Sequence, residues 1–414
     1  MTAVPPVWRA TPGGAATHGV SARPLLRLGA DAPGGLALPA ATPTATQLYA
    51  PRGVWTDGER VVVADTGNHR VLVWHHRPDR DGAPADVVLG QPGMTAEGPA
   101  AGGRSSERGL HLPTGVSVVD GRLVVADAWH HRLLVWDALP QDDFAAPDLV
   151  LGQPDATAVA ENAGGDVGPA TFYWPFGFGV VAGTFWVTDT GNRRVLGWSG
   201  TGVPEPGREP DVVLGQDDPR SRAENRGGAV GPATFRWPHA VAGDAGTLLV
   251  ADAGDHRVLG WTPPPTAPAQ PPPVPRSTSP GAPPAGGAFH QWGDRDADLV
   301  LGQPDFTTAA ELTYLPQGPS RLRFPYGIAS DGGRLAVADT ANNRVLLWDA
   351  LPRTGSAAPA DAVVGQPDFD LHGENRWATV EDDSLCWPYG LCLSGDLLAV
   401  ADSGNNRVVL WRLG

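Results

Sequence analysis

Asp65, Asn68, His69 and Arg70 fall within six residues of one another in the segment VVVADTGNHRVLVW (61–74). A carboxylate, an imidazole and a guanidinium so close together could share proton transfer or supply part of a metal shell. The segment returns as LVVADAWHHRLLVW (123–136), FWVTDTGNRRVLGW (185–198), LLVADAGDHRVLGW (248–261), LAVADTANNRVLLW (335–348) and LAVADSGNNRVVLW (398–411). Every copy keeps its acid and base: Asp65 and Arg70, Asp127 and Arg132, Asp189 and Arg194, Asp252 and Arg257, Asp339 and Arg344, Asp402 and Arg407. A reacting group is needed once, whereas a group that builds a repeat is needed in each. These pairs are therefore read as structural, the Asp accepting turn N–H groups and the Arg pairing with it or reaching a neighbour.

Chemistry specific to this chain should lie where the copies differ. Upstream of each copy stands a Pro-x-Gly-like opening: PRGV (51–54), PTGV (113–116), PFGF (175–178), PHAV (238–241), PYGI (325–328) and PYGL (388–391). Its variable residue reads Arg52, Thr114, Phe176, His239, Tyr326 and Tyr389. A cation, an imidazole, two phenols and a further aromatic around one axis would suit a ligand site.

The elements that must place them follow from local pattern. Each copy is a hairpin, two β-rich runs about an Asp/Gly/Asn turn, with the second run ending in Trp. The Pro opening starts a preceding strand, and VVLGQP (87–92) and its equivalents supply a fourth. Successive aspartates are separated by 62, 62, 63, 87 and 63 residues. Four antiparallel strands per period and six periods predict an all-β, six-bladed β-propeller. Only five downstream copies of the fourth run exist. LLRLGA (25–30) stands one period before VVLGQP, and so should pair with the last blade and close the ring without an exposed sheet edge. Residues 1–22 are expected to be a mobile tail and 23–414 a single domain. The Pro-rich stretch 262–288, with eleven prolines, reads as a loop insertion in blade four.

The recurring V-A-D-x-x-x-x-R-V-L-x-W after Pro-x-Gly resembles the NHL repeat family, whose domains are six-bladed propellers, and the likeness spans about residues 24–414. Similarity to NHL-like amidating lyases would imply a channel zinc held by histidines. Here only Pro238–His239 matches their Pro-His pattern, which leaves His239 as the metal candidate, with His111, two residues before a strand-entry Pro, as a weak second, against the roughly three protein ligands a catalytic zinc needs. No cofactor is predicted, zinc being the alternative.

Composition narrows the rest. The net charge of −15 opposes nucleic acid and anionic membranes. All 30 basic residues are arginines, which removes Schiff-base and P-loop chemistry. Cys386 and Cys392 offer no disulfide framework, and no nucleophile elbow is present. No apolar run reaches signal-peptide or membrane-span length, so a cytoplasmic monomer is expected. The function expected is non-catalytic binding of a protein, peptide or small metabolite at the channel mouth and long-loop face. A lyase or hydrolase at the same mouth is the alternative.

Overall fold

The computed structural model describes residues 21–29, 42–200, 202–262, 295–313 and 315–414. Six separate sheets ring a central channel. Blade one runs outward as Gly53–Thr56, Val61–Asp65, Arg70–Trp74 and Val87–Leu89, and blade three as Pro175–Val181, Thr184–Asp189, Arg194–Ser199 and Val212–Leu214. Blades two, four and five keep that order.

Side chains alternate across each second strand, as the period of two requires. Val61 and Val63 pack with Leu28 and Leu410 of blade six, while Val62 and Ala64 pack with Val125 and Trp136 of blade two. The apolar cores therefore lie between blades, six in all. The repeat tryptophans, Trp74 to Trp411, are buried there. The Trp74 indole N–H donates to the Ala83 carbonyl at 3.2 Å, so burial leaves no unpaired donor on it.

Ring closure occurs in blade six, whose strands are Pro388–Ser394, Leu397–Asp402, Arg407–Leu413 and, outermost, Ala22–Gly29. Leu26 faces Leu410 and Leu28 faces Val408 in antiparallel register. The register shifts between Pro24 and Leu26, where proline has no N–H to give the ladder. The strand starts at Ala22, earlier than the apolar run suggests. Residues 1–20 of the expected tail lie outside the described residues, as does all of the Pro-rich stretch except Thr262.

Closure does not abolish edges, contrary to the sequence expectation. Six separate sheets keep six outer strands, and the connection between the third and fourth strands of a neighbouring blade caps several of them. Gly82 N–H donates to Arg27 O on blade six, and Phe144 N–H donates to Val88 O on blade one. On blade four the cap becomes a fifth strand, Gly355–Ser356, parallel to Leu299–Leu301. These bonds occupy groups that would otherwise template pairing with another chain.

The Asp–Arg pairs are buried and hydrogen-bonded in every blade. Asp65 Oδ1 accepts the Tyr49 N–H at 2.6 Å, and its Oδ2 accepts Asn68 Nδ2 at 2.8 Å and Arg70 Nε at 2.7 Å. Arg70 then donates to Met94 O, Thr44 O and Gln47 O, tying down the loops before and after its blade. Arg132, Arg194, Arg257 and Arg344 repeat this arrangement, and Arg407 repeats its pairing with Asp402 and its hold on the preceding loop. All twelve side chains are fully buried.

Candidate functional site

Each inner strand begins on the face that carries the Asp turns and the long loops. Proline is tolerated at these strand starts because nothing there calls for its missing N–H. In five blades the glycine two residues on (Ala240 in blade four) lets neighbouring inner strands close up: a Cβ on Gly53 would sit 1.9 Å from Thr114 O, and one on Gly327 would sit 2.0 Å from Tyr389 O. The residue between proline and glycine is thereby held at the channel mouth.

Five of the six sequence candidates form one continuous arc. The Arg52 guanidinium carbon lies 4.6 Å from the Tyr389 ring centroid. Tyr389 and Tyr326 stack at 4.8 Å and 3°. Tyr326 meets His239 at 4.4 Å, and His239 stacks on Phe176 at 4.5 Å and 8°. Thr114 stands apart: it lines the channel, but its hydroxyl is spent on the Phe176 carbonyl at 2.8 Å.

Above this arc opens a funnel of about 280 Å³ whose walls include residues that sequence reasoning missed, among them Trp129, Tyr173, Trp174, Arg193 and Trp237. Trp129 meets Phe176 at 5.4 Å and Trp174 at 5.6 Å. The other repeats hold Gly67, Gly191, Gly254, Ala341 or Gly404 at this turn position. In four of those blades the turn is pressed against an adjacent side chain: a Cβ on Gly67 would lie 2.5 Å from the Tyr49 ring, and one on Gly191 would lie 2.5 Å from Tyr173. Blade two has His111 beside the turn, and Trp129 turns into the funnel.

Arg193 is a second departure. Its equivalents His69, His131, His256, Asn343 and Asn406 each accept a backbone N–H from the next blade's opening. A guanidinium has no acceptor. At this one seam the corresponding donor, Trp237 N–H, turns instead to Asp252 Oδ1 at 3.1 Å, and Arg193 lines the funnel.

The electrostatics are one-sided. Two guanidiniums and no carboxylate line the funnel. Burial, with Arg52 adding to it, lowers the His239 pKa to about 3, so its imidazole is neutral. Burial, then the neighbouring Tyr389, raises Tyr326 to about 12, and burial raises Tyr389 as well. Among the described residues Arg52 makes no ion pair, its buried Nε has no hydrogen-bond partner, and neither phenol hydroxyl nor the His239 ring has one. Burial likewise raises Cys386 to about 12 and Cys392 to about 11, which holds both thiols protonated. Among the described residues no group of three or more His, Cys, Asp or Glu is placed to hold a metal ion. No described helix is long and apolar enough to cross a membrane.

An NHL repeat family model matches residues 110–136. No curated protein sequence matches the chain. Among solved structures, the chain is similar to virginiamycin B lyase from Staphylococcus aureus at 10% identity, covering 95% of this chain and 100% of the other, with a TM-score of 0.43. The PQQ-bound aldose sugar dehydrogenase from Streptomyces coelicolor aligns at 15% identity over 95% and 98%, with a TM-score of 0.46. Kuenenia stuttgartiensis hydrazine synthase aligns at 15% over 89% and 97%, with a TM-score of 0.44. Residues 110–136 carry the turn, Asp–Arg pair and closing Trp of blade two, and the same signature closes the other five blades; the chain is an NHL-repeat protein folded as a six-bladed β-propeller.

Proposed function

We propose that this propeller is a non-catalytic binding module whose ligand is a small molecule seated in the funnel over the channel mouth. The observation that carries this reading is the convergence of unspent polar groups, from Arg52, His239, Tyr326 and Tyr389, inside an aromatic wall. Such a combination, mostly apolar surface with a few placed polar groups, is what ligand pockets share.

The alternative, a lyase or hydrolase at the same mouth, needs a group that exchanges protons near the working pH. His239 is pushed down to about 3 and Tyr326 up to about 12, so both stay in their neutral forms across the physiological range. That supports capture over turnover. A macromolecular partner is less suited, because the unspent groups lie at the bottom of a narrow funnel and not on the rim.

A thermal-shift screen of a metabolite library against wild type and Trp129→Gly tests the proposal. Glycine is the residue that four of the other five turns carry there, so the variant should keep the fold. Compounds that raise the melting temperature of wild type but not of the variant support a funnel ligand. Compounds that stabilise both equally place binding elsewhere.

A further inference from the structure

Two of the places where this chain breaks its own repeat open into the funnel. Trp129 replaces a glycine or alanine, and Arg193 replaces a hydrogen-bond acceptor that ties other blades together. The second substitution gives up an inter-blade bond, since Trp237 N–H is redirected to Asp252. Repeat architecture alone calls for neither residue. Each adds one kind of recognition: a broad indole face, and a positive charge.

Arg52 supplies a second charge. It is held on the Tyr389 face at 4.6 Å but is neutralised by no carboxylate among the described residues, in a chain of net charge −15. Arg193 is only loosely compensated: its Nη1 donates to the Gly191 carbonyl at 2.9 Å, and its Nε stands 4.0 Å from Glu224. A half-buried guanidinium without a counter-ion is a standing cost that a bound anion would relieve, through charge-assisted hydrogen bonds stronger than neutral ones. Tyr326 and Tyr389 hold their hydroxyl protons and can donate to the same anion.

The walls set the shape of the rest. The arc from Phe176 to Tyr389 and the indoles of Trp129, Trp174 and Trp237 present faces and edges to a space of about 280 Å³. That lies at the small end of ligand sites, roughly 300–1,000 Å³. Rings prefer offset-stacked or edge-on partners at about 4.5–7 Å between centroids.

From this geometry we infer that the funnel takes a planar aromatic acid of one or two fused rings, its carboxylate directed at Arg52 and Arg193 and its ring among the tryptophans. The inference rests on the proposed small-molecule reading and names the ligand class.

Titration calorimetry with three probes tests it: indole-3-carboxylate, its neutral amide, and cyclohexanecarboxylate. The indole acid should bind at least tenfold tighter than either of the others. Arg52→Gln should erase the preference for acid over amide. Arg193→Asn, which restores the acceptor used at other seams, should weaken the acid by several-fold while leaving the melting temperature unchanged or higher. Equal affinity for acid and amide overturns the anion claim, and equal affinity for the indole acid and cyclohexanecarboxylate overturns the aromatic claim. In both cases the small-molecule reading survives. Absence of binding by all three probes overturns the ligand class, while the library screen judges the wider reading separately. If Arg52→Gln fails to fold, Arg193→Asn carries the charge test alone, and an unchanged affinity in it then counts against the inference.

Discussion

His69 Nδ1 accepts the backbone N–H of Leu112 at 3.2 Å, a bond that crosses from blade one to the opening of blade two. His131 does the same for Trp174, and His256 for Phe324. An imidazole can accept at Nδ1 only while that nitrogen carries no proton, so these three seams hold only with neutral histidines.

Burial, with His111 beside it, lowers His69 to about 4, and burial with His130 lowers His131 to about 4, both from 6.5. Asp127 opposes both shifts without reversing them. Between those values the unfolded chain binds more protons than the folded one, so stability is full above 6.5 and falls as pH drops toward 4. Urea unfolding at pH 7 and at pH 4.5 should show that loss. His69→Asn combined with His131→Asn, the residue type that blades five and six use, should make it smaller. An unchanged pH slope in the double variant would count against the latch.

Asp255 gives a dependence of opposite sign. It occupies the turn position held by Asn68, Asn192, Asn342 and Asn405, whose amides donate to the repeat Asp. Burial and then the adjacent Asp252 raise it to about 7, and its Oδ2 is buried without a hydrogen-bond partner. Its folded pKa exceeds the unfolded 3.8, so its contribution is present at low pH and lost as pH rises through about 7. Asp255→Asn should therefore raise the melting temperature at pH 8, and by less at pH 5. The gain should be on the order of 1–3 kcal/mol, the cost of an unsatisfied buried polar group. A variant no more stable than wild type at pH 8 would refute this.

The Asp–Arg pairs should behave as supports. Asp189→Ala leaves Arg194 charged and fully buried with its Nε unpaired. Removal of one partner of a buried pair costs about 3–5 kcal/mol. The expected result is a large fall in the urea midpoint whatever ligand is present. A change confined to ligand affinity would mean that the pair serves the site.

Ring closure can be tested at Leu28, which is fully buried against Val61, Val408 and Leu410. Leu28→Ala should cost about 2–5 kcal/mol, as core truncations of leucine do. A cost below 1 kcal/mol by equilibrium unfolding would indicate that the N-terminal strand is dispensable.

Much of this architecture was legible because the repeat fixes it. Six copies of one hairpin set the strands, and the surplus LLRLGA run marks the closing strand. The innermost arc was legible for the same reason, because the Pro-x-Gly frame locates Arg52, His239, Tyr326 and Tyr389 on one axis. The funnel walls were not, since Trp174 and Arg193 sit at turn positions with φ of 51° and 55°, in the left-handed region, where strand alternation no longer tells which way a side chain points. Trp129 did leave a trace, as a large residue among glycines. Arg193 left one too, as a cation in a row of acceptors. Reading either trace required knowing what the usual residue bonds to. The edge caps, such as Phe144 on blade one, depend on loops whose composition carries no period.

The pairing of Ala22–Gly29 with Arg407–Leu413 also dictates the order of events when the chain is made. The outermost strand of the last blade is made before every other strand of the ring, and its partner after them. The early blades can stack while synthesis continues, but the seam between blades six and one is not complete until Arg407–Leu413 has emerged. Contacts between such distant stretches of chain form slowly, because the entropy of the intervening loop must first be overcome. Until then Leu26 and Leu28 lack Leu410 and Val408, the residues they face in the finished ring.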